Sequence, residues 1–144
     1  MAECVLVTAK EFAKAEHVFS SQPRFDVYSA PTEEPALADT ILAKKCRAVV
    51  VGVETYSGAL YEALGKTGRN AGAIIARFGV GHDGIDKRLT RKHNIILTNT
   101  PGVLDTSVAE HTIWLIGCLV RHVAALDAQV KAWPIRCYHR QGIE

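Results

Sequence analysis

Through its first 100 residues this chain alternates short β-rich runs with segments of helical spacing, and that alternation limits its fold more than any other feature. Strands separated by helices read as a parallel sheet with crossover helices, because a parallel pair cannot be closed by a tight hairpin. Strands are expected over Cys4 to Val7, Phe25 to Ser29, Ala48 to Val51, Ala73 to Phe78 and Ile95 to Thr98. The third is apolar throughout, as a strand covered on both faces should be. Thr8 and Glu11 have capping-box spacing ahead of a helical face carrying Phe12, Ala15 and Phe19. Pro31, Glu33, Glu34 and Pro35 open the next helix, placing acids at the positive end of its dipole and Leu37, Ile41 and Leu42 toward the sheet. A short helix from Ser57 to Leu64 is expected to stop at Gly65, and another to run from Asp86 to His93 with Lys87, Arg88, Arg91 and Lys92 in solvent.

After Pro101-Gly102 the pattern changes. Ser107 to Leu126 reads as one long helix, with Ser107 and Glu110 as a second capping box. Ile113, Trp114, Leu115, Ile116, Leu119 and Val120 point in every direction, so this helix needs cover on several sides. A chain of 144 residues has room for one ordinary domain and cannot supply all of that cover. The expected division is therefore a domain over 1–102 and a separate segment, the long helix with its sequel, over 103–144. The tail KAWPIRCYHRQGIE has no periodicity, and the chain reads as cut off there.

Composition narrows the function classes. A hydrophobic fraction of 48% with 22% charged residues is globular, and a net charge of +2 gives no field to attract nucleic acid or an anionic membrane. The longest uncharged apolar run, Ile113 to Val120, falls short of the roughly 20 residues of a membrane span. The start MAECVLVTAKEF has Glu3 where a signal peptide needs a basic start, so a cytoplasmic location is expected. Cys4, Cys46, Cys118 and Cys137 form no CxxC pair and are expected to be reduced thiols, with no metal site.

Gly79-Val80-Gly81-His82-Asp83-Gly84 fits G-x-G-x-x-G between a strand and a helix, the pattern of a dinucleotide loop. Its position in the fourth βα unit, the short helix after it and the acid-free strand end Thr98-Asn99-Thr100 weigh against that use. Two alternatives stay open: a nest of backbone N–H groups for a small anion such as a carboxylate, or a plain tight turn.

The run ARFGVGHDGIDKRLTRKHNIILTNTPGVLDTSVAEHTIWLIGCLVR resembles the D-isomer-specific 2-hydroxyacid dehydrogenases, whose motifs read GVGxDNID, NTPG and VAEH in this order. Gly84 departs from the family's Asn, and Trp133 stands where the family commonly has one. The resemblance implies a flavodoxin-like substrate-binding domain, a parallel five-stranded sheet with helices on both faces, followed by a long linker helix. It implies that the amides of Val80 and Gly81 hold a substrate carboxylate, with Gly79 shaping the loop. It implies NAD or NADP as cofactor, bound mainly by a domain that would follow Gln141 to Glu144, where the family's catalytic Arg, Glu and His also lie. Thr112, one turn into the linker helix, is the one cofactor-contact candidate. A homodimer through the 107–126 helix is implied as well.

Glu54, in the loop after the third strand, borders the family's substrate cleft, where an acid would repel a carboxylate and could instead read a hydroxyl or face water. None of His17, His82, His93, His111, His122 and His139 has a carboxylate at an orienting spacing, so none is assigned as a base. Asn99 to Gly102 is expected to form the hinge-side turn. Three functions follow. The first is the substrate-binding part of an NAD(P)-dependent oxidoreductase for phosphoglycerate, glyoxylate, hydroxypyruvate or similar acids, inactive as the 144-residue chain alone. The second is a noncatalytic, corepressor-like interaction module, and the third a freestanding anion or nucleotide binder.

Overall fold

A computed structural model describes residues 2–132; Trp133, Cys137, His139 and Gln141 to Glu144 lie outside them. Five parallel strands form one sheet: β1 (Glu3–Thr8), β2 (Phe25–Ala30), β3 (Ala48–Val51), β4 (Ala73–Arg77) and β5 (Ile95–Thr98). Their spatial order is β2-β1-β3-β4-β5, the doubly wound order in which the winding direction reverses between β1 and β3. The register sets Val7 against Val50 and Val51 against Arg77, so the carboxyl ends of β1, β3 and β4 lie side by side.

The helices are α1 (Ala9–Lys14), α2 (Glu16–Ser20), α3 (Glu34–Lys44), α4 (Ala59–Thr67), α5 (Lys87–Lys92), α6 (Asp105–Val120) and α7 (Val123–Ala132). The main core lies where α3 and α4 cover the sheet: Leu37, Ile41, Leu60 and Leu64 are fully buried with Leu6, Val51 and Ile75. Burying each such side chain contributes about 1.5 to 3 kcal/mol, which is what holds the crossover helices down. The other face is less covered than the all-apolar β3 implies. Val5, Val27, Val50, Ile74 and Ala76 there line an open apolar groove of ≈ 350 Å³ beside Phe19, and Val50 is only half-buried because it points to this face.

Several local expectations change. Thr8 caps no backbone amide; its hydroxyl donates to the buried carboxylate of Glu11. The first helix breaks at Ala15, although Phe12 and Phe19 still meet with ring centroids 5.8 Å apart. Leu42 is exposed, because one residue past Ile41 the helix has already turned about 100° from the sheet. Gly65 does not stop α4, which continues to Thr67; a Cβ at Gly65 would lie 2.7 Å from His93 Nδ1, so this glycine serves close packing. Asp86 does cap α5, accepting from the amides of Arg88 and Leu89.

The N-terminus of α4 is capped from another helix. Glu34, at the start of α3, accepts from the amides of Ser57, Gly58 and Leu60 and from the Ser57 hydroxyl at 2.7–3.0 Å. Partial burial raises the Glu34 pKa, but these donors outweigh it and hold the carboxyl below the usual glutamate range. Because the folded pKa is depressed, this contribution is present above the unfolded value of about 4.3 and is lost as pH falls through the folded pKa. Glu34→Ala is expected to cost about 1 to 2 kcal/mol at pH 7, as loss of a helix cap does. Urea unfolding at pH 7 and at acid pH checks it, the gap between wild type and variant narrowing as the carboxyl protonates.

Contacts divide the chain into a unit over Met1–Val103 and one over Leu104–Glu144. In the second unit the expected single helix starts at Asp105, so Ser107 and Glu110 lie inside it and cap nothing, and no side chain caps Leu104. It breaks at His122, whose φ of 53° is left-handed, and α7 continues at 59° to α6. Among the described residues no single helix is long and apolar enough to cross a membrane. Cys4, Cys46 and Cys118 are free thiols, with Cys4 pushed up to about 12 by burial and by the neighbouring Cys46 thiol. No group of three or more metal-ligating side chains occurs among the described residues.

Candidate functional site

In a doubly wound sheet, ligands bind outside the carboxyl ends of the strands at the point where the winding reverses. A cleft of ≈ 170 Å³ lies outside these carboxyl ends, one strand along from the reversal, lined by Gly52, Val53 and Glu54 after β3 and by Arg77, Gly81 to Gly84 and Ile85 at and after β4. The two loops are stitched together: Tyr56 pairs with Ile85 as an isolated parallel bridge, and the Tyr56 amide donates to the Gly84 carbonyl at 3.1 Å. Buried Tyr61 braces the same corner, its hydroxyl accepting from the Asp86 amide at 2.8 Å.

The glycine loop is held by its carbonyls. The Thr100 amide donates to the Gly79 carbonyl at 3.1 Å and Asn99 Nδ2 to the Val80 carbonyl at 2.8 Å. Among the described residues the amides of Val80, Gly81, His82, Asp83 and Gly84 meet no protein acceptor. Successive free N–H groups of this kind are what an anion nest needs.

The three glycines have different reasons for being glycine. Gly79 has φ 143°, a backbone conformation that side chains rarely adopt, and the Arg77 guanidinium occupies the place of its Cβ. Gly84 has no positive φ; a Cβ there would press into the Glu54 carbonyl, 3.1 Å from its carbon and 3.3 Å from the Val53 oxygen. Its missing side chain therefore lets the two loops touch. Gly81 has neither constraint, its Cβ position meeting nothing nearer than Asp83 Oδ2 at 4.0 Å. The fold does not need a glycine at 81, and a side chain there would enter the cleft.

Electrostatically the cleft is mixed. Arg77 is 8% exposed, its guanidinium donates to the Phe78 carbonyl, and no carboxylate pairs with it among the described residues. A buried cation without a counter-ion is costly unless an anion joins it. Arg77 falls inside the strand expected from the sequence; the available signal was a lone basic residue at the end of an apolar strand, one residue before GVG. Glu54 is paired with Lys10 at 2.7 Å, and that bond holds its pKa below the usual carboxylate range despite partial burial. Glu54 Oε2, Tyr56 Oη and His82 Nδ1 are buried and, among the described residues, without hydrogen-bond partners. Burial pushes the Tyr56 phenol up, helped by the charge of Glu54, so it stays a neutral hydroxyl.

Gly79, Val80, Gly81 and Glu54 thus fall in one corner of the first unit, whereas Thr112 belongs to the second. The Thr112 hydroxyl is taken by the Val108 carbonyl of its own helix at 2.7 Å. The helix after the glycine loop is only six residues long, and β5 ends on Thr98 without an acid. Both features differ from those of a dinucleotide fingerprint.

Residues 5–137 match the family model described as D-isomer specific 2-hydroxyacid dehydrogenase, catalytic domain, and the chain belongs to that family. Among curated relatives, the D-3-phosphoglycerate dehydrogenase of Bacillus subtilis is 41% identical over 59 residues, 41% of this chain and 11% of that protein. The glyoxylate reductase of Pyrococcus furiosus is 37% identical over 70 residues, 49% of this chain and 20% of that protein. The hydroxypyruvate reductase of Thermotoga maritima is 40% identical over 58 residues, 40% and 19%. The matches thus span no more than a fifth of these relatives' length. The fold is that of the pyruvate reductase of Chlamydomonas reinhardtii, with TM-score 0.68 and 21% identity over 99% of this chain and 42% of that one. The 2-hydroxyacid dehydrogenase of Ketogulonicigenium vulgare gives 0.67 at 22% identity, over 92% and 40%.

Proposed function

We propose that this chain is the substrate-binding part of an NAD(P)-dependent oxidoreductase acting on the CH–OH group of small 2-hydroxy acids or the corresponding 2-keto acids. The free amides around Gly81, a glycine that no protein contact demands, carry the reading. The Val80 and Gly81 N–H groups hold the substrate carboxylate, Gly79 shapes the loop, and the unpaired Arg77 adds positive charge. Glu54 forms the opposite wall. Fixing the carboxylate orients C2 for transfer, which is the share of catalysis this part supplies. The relatives' names span phosphoglycerate, glyoxylate and hydroxypyruvate as substrates, and the same small-acid class is proposed here.

In this reading NAD or NADP is bound mainly, and the acid–base groups are carried, by protein outside the described residues. It includes a cytoplasmic setting and a homodimer through the exposed apolar surface of α6, where Ile113, Trp114 and Leu119 are 63–75% exposed. The purified 144-residue chain is expected to show no turnover with NADH or NADPH and glyoxylate, hydroxypyruvate or pyruvate. Turnover that copurifies with the chain would contradict the assignment of the chemistry to other residues.

A further inference from the structure

A net charge of +2 for the whole chain hides an uneven distribution. Residues 66–94 carry seven of the 17 Lys and Arg but only two of the 15 Asp and Glu, a local net charge of +5. Six of the seven are exposed: Lys66 and Arg69 at and just after the end of α4, and Lys87, Arg88, Arg91 and Lys92 on α5. Close packing of Gly65 on His93 sets the last turn of α4 against the end of α5, so the two groups of cations adjoin. Among the described residues only Arg88 of the six meets a carboxylate, that of Asp86 at 3.2 Å. Helix ends account for part of the patch, since Lys66, Arg91 and Lys92 lie in last turns, where cations complement the helix dipole. Lys87 and Arg88 do the opposite and open α5 at the positive end of its dipole, which Asp86 offsets for Arg88 alone. Lys87 also stands four residues before Arg91, and Arg88 four before Lys92, like-charge spacings that weaken a helix. The fold gains nothing from this arrangement, and an anion on the surface would relieve it.

The surroundings of the six cations select among anions. Leu89 packs on the core and Thr90 is buried, so α5 offers no outward apolar side chain to enter a lipid layer. None of the six lines the cleft or the groove described above, so an acidic peptide would find no pocket there for its side chains. No aromatic residue accompanies them on α5 or in the last turn of α4, so unpaired bases have nothing to stack on. What the surface offers is charge and N–H donors for regularly spaced phosphates. We propose that the surface formed by α5 and the end of α4 binds the phosphodiester backbone of a nucleic acid duplex, independently of its sequence. This surface is separate from the carboxylate cleft and does not rest on it.

Fluorescence anisotropy of a labelled DNA duplex of about 20 base pairs, titrated with the 144-residue chain at several KCl concentrations, tests the proposal. Binding is expected below about 100 µM at low salt, with log K falling against log [KCl] at a slope of about −4, as four or five neutralised phosphates require. Lys87→Glu combined with Arg91→Glu should weaken binding more than about tenfold and make the slope shallower by about 2. Arg24→Glu combined with Lys44→Glu changes the net charge equally at the opposite edge of the sheet, where Lys44 lies over the Tyr28 ring, and should stay within about threefold of wild type. Lys87→Glu alone should weaken binding yet raise the thermal midpoint by about 2 °C, by placing an acid at the start of α5 and opposite Arg91. A lysine kept for the fold would not give that combination. Equal losses in the two charge-reversed pairs, a slope shallower than about −1, or no binding at about 100 µM overturns the proposal. A less stable Lys87→Glu chain, or tighter binding of a poly-glutamate peptide than of the duplex, overturns it as well.

Discussion

Gly84→Ala is expected to destabilise the protein by about 1 to 3 kcal/mol, whereas Gly81→Val should leave stability within about 0.5 kcal/mol and abolish binding of small carboxylates. The two glycines sit three residues apart in one loop and are needed for different reasons. An added Cβ at Gly84 meets backbone, the Glu54 and Val53 carbonyls, which cannot swing aside as a side chain can. Relief requires the loops joined by the Tyr56–Ile85 bridge to separate, and that bridge shapes the cleft. At Gly81 the space is open and φ is outside the left-handed region, so the protein accommodates a side chain there. The isopropyl group then fills the volume in front of the free amides. Thermal unfolding and acid titration of both variants check the pair of expectations; a stability loss at Gly81 equal to that at Gly84 would return the loop to a plain turn.

The second large effect is expected on α6. Val108, Ile113, Trp114, Ile116, Leu119 and Val120 are each more than half exposed, on successive sides of a single helix. Each large apolar side chain left in water forgoes about 1.5 to 3 kcal/mol, so a few of them rival the whole stability of a small domain. The chain is therefore expected to self-associate through Trp114, Leu115, Leu119 and their neighbours, or to be poorly soluble. Leu115→Lys combined with Leu119→Lys should shift the sedimentation profile to monomer. A monodisperse wild-type monomer at micromolar concentration would contradict the account of α6 as an interface.

The parallel sheet was legible because its strands are short, apolar and separated by whole helical turns, and the motif GVG falls after β4, beside the cleft. Helix ends were less legible. The S-x-x-E spacing at Ser107 fits a capping box, yet Asp105 already begins the helix, and spacing alone does not say which turn comes first. The break at His122 depends on one left-handed residue that periodicity cannot reveal. Cover on the second sheet face was overstated because an apolar β3 reads the same whether its outer face meets a helix or an open groove. At the site, Lys10 and Glu54 meet only because β1 and β3 are spatial neighbours, a consequence of strand order that no local pattern carries. The Arg77 charge was visible as a residue and invisible as an unpaired one, since pairing is a property of the packed loop.

The central claim is that the amides of Val80 and Gly81 receive a carboxylate, and amide-resolved ¹⁵N–¹H spectra of the chain during titration with glyoxylate test it most directly. Saturable shifts are expected at Val80 and Gly81, with smaller ones at Glu54 and Asn99, displaced by other small 2-keto acids and lost in Gly81→Val. Absence of saturable shifts at Val80 and Gly81, with the fold intact, would contradict it.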